Sequence, residues 1–230
     1  MARLVTFGEI MLRLCPPDFL RLIQTNTLEM SFGGGEANVV VSASQFGLDA
    51  ALVTCLPENP LGDACVRSLQ SRGVDTSLIV RSGSRIGIYF LEAGAVQRPS
   101  KVIYDRSNSA IAEVAADVID WKAVLKDADW FHVTGITPAI SKNAADQTLK
   151  AVQAADELGV TVSCDLNYRK KLWKWGKQPG EVMQDVVKHV TVAIGNEEDA
   201  EKVFGVKAPD TDVESGKVDA DAYRYVGEEL

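Results

Sequence analysis

Three consecutive glycines, Gly33, Gly34 and Gly35, stand directly before a helix-like segment over 36–46. Glycine has no Cβ, so a ligand can lie directly against the backbone at such a turn. The start of the helix that follows offers unpaired N–H groups and a partial positive charge. The turn therefore suits a polar, anionic small molecule, although a glycine-rich turn before a helix is also a common plain chain reversal.

A second group of polar residues follows an apolar, strand-like run over 160–164. It is Asp165-Leu166-Asn167-Tyr168-Arg169, which places four hydrogen-bonding side chains at one strand end. Arg169 can bind a carboxylate or a phosphate through two parallel hydrogen bonds, a geometry that lysine does not offer. The alternative is a surface arginine in a loop, which contributes little to stability.

A third group, Asn196-Glu197-Glu198-Asp199, follows the apolar run over 190–194. Asn196 is a favourable N-cap for a helix predicted over 197–204. The functional alternative is a carboxylate pair that holds a water-coordinated Mg²⁺ beside phosphates.

Two tyrosines and an arginine stand in a β-rich part of the chain. Tyr89 lies within one predicted strand, and Tyr104 and Arg106 lie at the end of the next. Tyrosines are common on strands for packing reasons alone. Arg106 could equally form an ion pair with Asp105, so the pattern leaves both structural and ligand-binding roles open.

The elements that would position these residues alternate between strands and helices. Strands are predicted at 4–7, 50–55, 130–134, 160–165 and 190–194, with 11–14 as a continuation of the first. Helices are predicted at 36–46, 61–72, 121–125, 142–158, 181–189 and 197–204, and a helical stretch is predicted near Tyr223. Such alternation is typical of an α/β fold with a mostly parallel sheet covered by helices on both faces.

Short β-rich segments at 76–80, 86–92 and 101–105 interrupt this alternation. No helix pattern separates them, so they predict a small second sheet of antiparallel character. Ligands of open α/β sheets bind beyond the carboxyl ends of the strands. Because polar residues cluster at several predicted strand ends, the sequence favours an enzyme.

The composition restricts the class of protein. The 230 residues are 46% hydrophobic and 24% charged, which suits one large globular α/β domain. The net charge of −8 argues against nucleic acid as a general partner. The basic, aromatic segment over 170–177 is interpreted as a solvated face rather than a single-strand binding patch.

The N-terminal residues have no long apolar region of a secretory signal, and no apolar run approaches membrane-spanning length. The four cysteines, at positions 15, 55, 65 and 164, lack C-x-x-C spacing and predict reduced thiols. His132 and His189 are predicted to be structural because no metal-ligand spacing surrounds them. We therefore expect a cytoplasmic protein without a membrane partner.

These pieces together resemble the PfkB (ribokinase-like) family of carbohydrate kinases over nearly the whole chain. The resemblance is carried by Gly33-Gly34-Gly35-Glu36-Ala37-Asn38, Pro60-Leu61-Gly62-Asp63, Arg72-Gly73-Val74-Asp75-Thr76, Asp165-Leu166-Asn167-Tyr168-Arg169 and Asn196-Glu197-Glu198-Asp199. Within the family the chain is most similar to 2-keto-3-deoxygluconate kinases. That likeness is carried by Glu36, Gly87-Ile88-Tyr89, Tyr104-Asp105-Arg106 and Thr134-Gly135-Ile136-Thr137-Pro138.

The resemblance implies phosphoryl transfer from ATP, with Mg²⁺, to a primary hydroxyl of a sugar or sugar acid. It implies a three-layer α/β sandwich, residues 1–230, with a β lid from segments of about 9–32 and 76–106 that also offers a homodimer contact. It implies the following site residues. Gly34 and Asn38 contact sugar oxygens, Tyr89 and Tyr104 line the substrate, Arg106, Asn167 and Arg169 bind it, and Arg169 also meets the transferring phosphoryl group. Asn196 and Asp199 stand near the phosphates, Asp199 through a metal-bound water.

Two features depart from the family pattern. Asp199 stands where the family has Glu in its Asn-x-x-Glu motif, and the Gly-Ala-Gly-Asp motif that provides the family's general base and anion hole is absent from the 230 residues. We therefore expect this polypeptide alone to be inactive. The alternatives are a kinase for a neutral sugar such as fructose or ribose, and a non-catalytic module that binds sugar acids. A dinucleotide-binding dehydrogenase is disfavoured because Gly8-Glu9-Ile10 lacks the G-x-G-x-x-G pattern.

Overall fold

The computed structural model of the chain describes residues 2–207 and 220–229. The chain divides into two compact units, Met1–Ile119 and Asp120–Leu230. The first unit contains eight named strands and two α-helices among its described residues: β1 (Arg3–Phe7), β2 (Met11–Cys15), β3 (Glu29–Gly33), α1 (Gly35–Gln45), β4 (Asp49–Val53), β5 (Cys55–Leu56), α2 (Pro60–Gln70), β6 (Val80–Arg81), β7 (Ile88–Glu92) and β8 (Lys101–Asp105).

Strands β1 and β4 form a parallel pair, and α1 packs against both of them. Their register runs from Arg3 opposite Asp49 to Phe7 opposite Val53. The strands are buried and apolar apart from the charged start, where Arg3 pairs with Asp49 at 2.7 Å and with Asp75 at 2.8 Å. The parallel pairing of these two apolar strands agrees with the mostly parallel sheet that the sequence predicts.

Four strands form a separate mixed sheet in the order β3-β2-β7-β8. We predicted 11–14 as a continuation of the first strand, which is wrong because the chain leaves β1 at Gly8 and β2 pairs with β3 and β7 instead. The sheet is also not purely antiparallel, since β2 and β7 run parallel. Strand β7 reaches β2 only after a long excursion through α1 and α2, which is the connection that parallel neighbours require.

The two faces of this mixed sheet differ in character. Leu12 is buried, and its register neighbours Phe32 and Ile88 pack against the apolar core beside α1. The alternate residues Arg13, Tyr89 and Tyr104 share the opposite face, because side chains alternate along a strand. One face is therefore structural, and the other is available for contacts with a ligand.

The strand predicted over 76–80 is wrong for most of its length. Only Val80–Arg81 is a strand, paired in parallel with Cys55–Leu56. Upstream, the carboxylate of Asp75 accepts a hydrogen bond from the backbone N–H of Ser77 at 2.9 Å. Such an Asx turn competes with extended structure, which explains why the β-rich composition does not produce a longer strand.

The second unit alternates helices and strands. Its elements are α3 (Trp121–Leu125), β9 (Trp130–Thr134), α4 (Ile136–Ile140), α5 (Lys142–Glu157), β10 (Thr161–Asp165), α6 (Pro179–Val187), β11 (Val192–Ile194), α7 (Glu197–Phe204) and α8 (Ala220–Glu229). Strand β10 pairs in parallel with β9 on one side and β11 on the other. The predicted helices over 121–125 and 142–158 are confirmed, as is the helical stretch near Tyr223.

Helix α4 was not predicted. Its first backbone N–H, that of Ile136, is bound at 3.1 Å by the hydroxyl of Thr134, and Pro138 occupies the first turn where a missing N–H costs nothing. Helix α5 begins at Ser141, whose hydroxyl accepts from the N–H of Ala144 at 3.1 Å. It is followed by Gly159 in the left-handed region, with φ of 72°.

The cysteines and His132, predicted to be reduced thiols and a structural histidine, lie in the interior of the protein. The four cysteines are buried and unbridged. His132 lies inside β9, where its Nδ1 contacts the hydroxyl of Ser163 at 2.8 Å, and Trp130 Nε1 donates to the same hydroxyl at 2.7 Å. Burial lowers the pKa of His132, which keeps the imidazole neutral. None of the helices that the structure describes is both long enough and apolar enough to span a bilayer.

Candidate functional site

The glycine turn brings two predicted substrate residues together in the first unit. A Cβ placed on Gly33 would lie 3.3 Å from the hydroxyl of Tyr89 and 3.8 Å from Oδ1 of Asn38. Tyr89 comes from β7 and Asn38 from the first turn of α1, so the turn sits where the mixed sheet meets the helix. The structure thus brings Asn38 and Tyr89 together at Gly33, and their contact with a substrate stays a prediction.

Gly34 has a different reason for being glycine. Its backbone is extended, with φ of −173°, and a Cβ there would lie only 2.0 Å from the carbonyl oxygen of Glu9. The close approach is between two backbone segments of the protein, so any larger residue would push the segment at Glu9 away. The contact of Gly34 with a sugar oxygen stays a prediction.

A buried ion pair lies beside this turn. Glu9 is 3% exposed, and its carboxylate accepts from a guanidinium nitrogen of Arg106 through Oε2 and from the Ser109 hydroxyl at 2.8 Å through Oε1. Gly87 makes room for the pair, because a Cβ there would lie 2.6 Å from Oε1 of Glu9. Burial raises the pKa of Glu9, and the neighbouring charge of Arg106 opposes that rise.

The alternative ion pair between Arg106 and Asp105 is not formed. Asp105 pairs with Arg85 at 2.9 Å, and this contact lowers the pKa of Asp105. Consecutive residues of a strand point to opposite faces, so Arg106 turns toward Glu9 while Asp105 turns away. The guanidinium carbon of Arg106 lies 5.7 Å from the centroid of the Tyr104 ring, within reach of a cation–π contact.

Tyr104 and Tyr89 form an aromatic pair across the sheet. Their ring centroids are 6.0 Å apart, and they are register partners on β8 and β7. Tyr104 is 53% exposed, whereas Tyr89 is half-buried. Both predicted aromatic residues therefore share one face with the glycine turn, and the exposed one leaves a surface on which a ligand could pack.

Glu36 is the acidic residue of the glycine-rich motif, and it faces inward. It is fully buried on α1, and a Cβ on Gly8 would lie 2.1 Å from its carboxyl carbon. Gly8 at the end of β1 and Glu36 at the start of α1 therefore occupy adjoining space, and a larger residue at position 8 would displace the carboxylate.

In the second unit, the polar groups at the ends of β10 and β11 are tied together by Asp199. This residue is 6% exposed and accepts from the backbone N–H of Tyr168 at 2.8 Å and from that of Asn196 at 3.0 Å. Asn196 returns the contact through Oδ1, which accepts from the N–H of Asp199 at 3.0 Å. The N-cap interpretation of Asn196 is confirmed as a reciprocal capping box.

The remaining residues of the second group stand at the end of β10. Asn167 has φ of 40° and donates from Nδ2 to Asp165 at 3.3 Å. Burial, followed by the charge of Asp199, raises the pKa of Asp165. Arg169 is exposed and makes no side-chain ion pair or hydrogen bond with any residue that the structure describes, so its guanidinium is free to meet an anion.

Few side chains among the described residues are placed to coordinate a metal ion. No group of three or more His, Cys, Asp or Glu residues in the described ranges could hold a metal ion. Both carboxylate oxygens of Asp199 already accept backbone N–H groups. The described residues thus offer no direct coordination set for Mg²⁺, and the water-mediated contact of Asp199 stays a prediction.

Gly135→Ala should destabilise the protein by about 1–3 kcal/mol, the usual cost of forcing extra atoms into a packed site. A Cβ on Gly135 would lie 2.1 Å from the carbonyl oxygen of Leu166, in the loop that carries Asn167 and Arg169. The backbone of Gly135, with φ of −68°, would itself accept alanine, so the cost comes from the contact. The measurement is the urea midpoint at constant slope.

The matched control is Gly227→Ala in α8, where a Cβ would meet nothing within 4 Å. Helix propensity alone should make that variant as stable as the parent or up to about 1 kcal/mol more stable. Equal midpoints for the two alanine variants would contradict the close approach of Gly135 to Leu166.

The parallel strands, the helices packed on them and the small mixed sheet define an α/β protein of the sugar-kinase class. Residues 1–222 match the pfkB family carbohydrate kinase, and the chain belongs to that family. The chain is 41% identical over 177 residues to a 2-dehydro-3-deoxygalactonokinase of Haloferax volcanii, covering 75% of this chain and 54% of that protein. It is 29% identical over 171 residues to a 2-dehydro-3-deoxygluconokinase of Bacillus subtilis, covering 74% and 52% respectively.

Among solved structures, a 2-dehydro-3-deoxygluconokinase from Thermotoga maritima is similar with a TM-score of 0.92 and 49% identity. That similarity covers all of this chain and 68% of the Thermotoga chain. The predicted ribokinase-like fold class is thereby confirmed. The chain spans about half the length of the curated relatives it matches.

The sequence does not identify two residues at the ion pair beside the glycine turn, Glu9 and Ser109. The signal that points to Glu9 is an acidic residue directly after a buried strand, a position that requires a charged partner. Nothing in the local sequence identifies Arg106 and Ser109 as those partners, because they lie about 100 positions away.

Proposed function

We propose that this chain provides the sugar-binding part of a kinase that transfers a phosphoryl group from ATP to a primary hydroxyl of a 2-keto-3-deoxy sugar acid. The gluconate-derived acid, 2-keto-3-deoxygluconate (also named 2-dehydro-3-deoxygluconate), is the first choice. We also propose that the 230-residue polypeptide alone does not catalyse the transfer. Four reduced, buried cysteines support a cytoplasmic location for the protein.

The observation that carries the proposal is the convergence of the Tyr89 hydroxyl and the Asn38 side chain at Gly33. A tyrosine hydroxyl and an amide are the groups that bind sugar hydroxyls, and the absence of a Cβ at Gly33 leaves room beside them. The names of the similar proteins from Haloferax, Bacillus and Thermotoga support an acid of the 2-keto-3-deoxy class as the ligand.

The roles of the remaining residues follow from their surroundings. Tyr104 is exposed beside Tyr89 and provides an apolar surface for the carbon chain of the sugar. Arg106 holds the end of β8 against Glu9 and positions Tyr104 through the contact with its ring. Arg169, exposed at the end of β10, is the cation we assign to the transferring phosphoryl group, with Asn167 and Asn196 as neutral donors near the phosphates.

Phosphoryl transfer depends on positioning and on stabilisation of charge at the phosphates. ATP would supply the phosphoryl group, and its bound Mg²⁺ would neutralise phosphate charge. The residues described above bind and orient the acceptor sugar. No Gly-Ala-Gly-Asp turn that could hold the anionic transition state is present in the sequence, which is the reason for proposing an inactive polypeptide.

The purified chain should bind 2-keto-3-deoxygluconate at least about tenfold more tightly than fructose or ribose. A carboxylate bound by arginine in a partly dry site adds a charge-assisted interaction of about 1.5–3 kcal/mol that a neutral sugar cannot form. Isothermal titration calorimetry with the acid and the two neutral sugars measures the difference. The galacto epimer of the acid is tested in the same series. Its affinity shows which of the two acids named in the relatives' names, the gluco or the galacto form, this chain prefers.

Equal or tighter binding of fructose or ribose would overturn the sugar-acid proposal and favour a kinase for a neutral sugar. Binding of the acid with no turnover even after the chain is joined to the C-terminal part of the Thermotoga relative would instead favour a non-catalytic sugar-acid binding module.

A further inference from the structure

A row of four polar side chains crosses the mixed sheet of the first unit. Ser31, Arg13, Tyr89 and Tyr104 are successive register partners on β3, β2, β7 and β8. Register partners share a face, so all four side chains stand on the face that carries the tyrosine pair. Arg13 is the arginine of this row, and its neighbour Tyr89 places its hydroxyl beside Gly33.

The arginines around this sheet differ in how far their charges are already balanced. Arg106 is 11% exposed and pairs with the buried carboxylate of Glu9, and Arg85 pairs with Asp105. Arg13, in contrast, has no acidic partner within ion-pair distance among the described residues. The Nε atoms of Arg13 and of Arg106 are both buried without a hydrogen-bond partner in the part of the chain that the structure describes, so the two arginines differ in having an acidic partner and not at Nε.

Tyr89 is the side-chain partner of Arg13 on this face. Burial raises the pKa of the Tyr89 hydroxyl, and the positive charge of Arg13, together with a side-chain hydrogen bond between the two residues, opposes that rise. The guanidinium of Arg13 therefore contacts the tyrosine hydroxyl. This partner is neutral, so a bound anion would supply the countercharge that Arg13 lacks among the described residues.

We propose that Arg13 is a specificity-determining residue that binds the carboxylate of the sugar acid, and that Arg106 is a positioning residue. This inference rests on the proposed function, which supplies the ligand class. It follows from geometry on one sheet face: Arg13 is the register partner of Tyr89, and the Tyr89 hydroxyl lies beside Gly33 and Asn38. One ligand could therefore present its carboxylate to Arg13 and its hydroxyls to Tyr89 and Asn38. The planar guanidinium suits a carboxylate because it offers two parallel N–H groups.

The test compares ligands that differ only in charge. Calorimetric titrations use 2-keto-3-deoxygluconate and its neutral primary amide, with the parent chain, Arg13→Gln and Arg13→Lys. The matched control is Lys101→Gln, which removes one positive charge from the same sheet but from β8 on the opposite face to Tyr104. Thermal melting checks that each variant is folded.

Arg13→Gln should weaken binding of the acid by about ten- to a hundredfold while changing the affinity for the amide less than threefold. Arg13→Lys should keep part of the preference for the acid, since it retains the charge but not the paired donors. Lys101→Gln should leave both affinities unchanged. If Arg13→Gln is not folded, Arg13→Lys provides the test, and the ratio of its affinities for the acid and the amide is compared with that of the parent.

The outcomes separate this inference from the proposed function. A parent chain that prefers the acid, with the preference unchanged in Arg13→Gln, would overturn the role of Arg13 and leave the proposed function standing. A parent chain with equal affinities for acid and amide would overturn both. An Arg13→Lys variant that binds the acid as tightly as the parent would contradict the two parallel hydrogen bonds from the guanidinium to the carboxylate. Tighter binding of a phosphorylated sugar than of the acid would contradict the proposal that the anion bound by Arg13 is a carboxylate.

Discussion

The purified 230-residue chain is expected to release no ADP above background when it is mixed with ATP, Mg²⁺ and 2-keto-3-deoxygluconate. Carbohydrate kinases of ordinary activity turn over at roughly 1–100 per second, so the expected loss is several orders of magnitude. The physical reason is that sugar binding alone does not stabilise charge on the transferring phosphoryl group. We assign Asn38, Tyr89 and Arg13 to the sugar, and Arg169 is the one cation that we assign to the phosphoryl group, with Asn167 and Asn196 as neutral donors.

A coupled assay of ADP release makes the measurement, with the Thermotoga 2-dehydro-3-deoxygluconokinase as the positive control. Calorimetry on the same preparation must show that the sugar acid is bound, so that inactivity is not confused with misfolding. Turnover near the rate of the control would mean that a base and an anion hole exist elsewhere in these 230 residues. Joining the chain to the C-terminal part of the Thermotoga relative should restore turnover if that part provides the Gly-Ala-Gly-Asp motif that the family resemblance implies.

Much of the fold could be predicted because its signals are local. Helix α5 was predicted over 142–158, and the structure bounds it with Ser141 at its start and Gly159 beyond its end. Asn196 was assigned as a cap from its position after an apolar run, and it caps α7. Such devices work within one turn of a helix, so a short window of sequence contains all the residues they need.

Pairing between distant segments could not be predicted in the same way. The segment over 11–14 was predicted as a continuation of the first strand, but it is a separate strand, β2, that pairs with β3 and β7. Its composition is as apolar as that of β1, and apolar composition does not identify a pairing partner. The row containing Arg13 and Tyr89 depends on a register between segments about 75 positions apart. A shift of one residue would place Arg13 on the opposite face of the sheet. Without the register, the sequence could therefore not predict that Arg13 and Tyr89 share a face.

The ion pair between Glu9 and Arg106 shows the same limit for charged groups. The two residues are 97 positions apart, and the local sequence suggested Asp105 as the partner of Arg106. Alternation along β8 decides the matter, because Asp105 and Arg106 cannot both face Glu9. The predicted contact of Arg106 with a substrate carboxylate stays a prediction, and the pairing with Glu9 reduces the charge that it can offer.

Arg106→Ala is expected to destabilise the protein by about 3–5 kcal/mol, the usual cost of leaving one member of a buried ion pair without its partner. Glu9 would keep the Ser109 hydroxyl but lose its countercharge at 3% exposure. For a chain of this size the loss corresponds to a fall in melting temperature of roughly 6–20 °C. Binding of the acid and of neutral sugars should weaken together, because the end of β8 loses its anchor.

The loss in Arg106→Ala should depend on pH in a defined direction. Burial raises the pKa of Glu9 above its value in the unfolded chain, and without Arg106 nothing of comparable strength opposes that rise. The folded variant then binds more protons than the unfolded chain, so its stability falls as the pH rises through the pKa of the folded state. The variant should therefore be more stable at pH 5 than at pH 8, and the difference should be smaller in the parent.

Circular dichroism melting curves at pH 5, 6.5 and 8 make the comparison, with Glu9→Gln combined with Arg106→Ala as the control. Glutamine keeps the size and one acceptor of Glu9 but does not titrate, so the double variant should recover most of the stability at pH 8. The extra dependence of melting temperature on pH that Arg106→Ala shows over the parent should be absent from the double variant. A single variant that melts within about 2 °C of the parent at pH 8 would show that Glu9 is reached by water, and the assignment of Arg106 as a positioning residue would then fail.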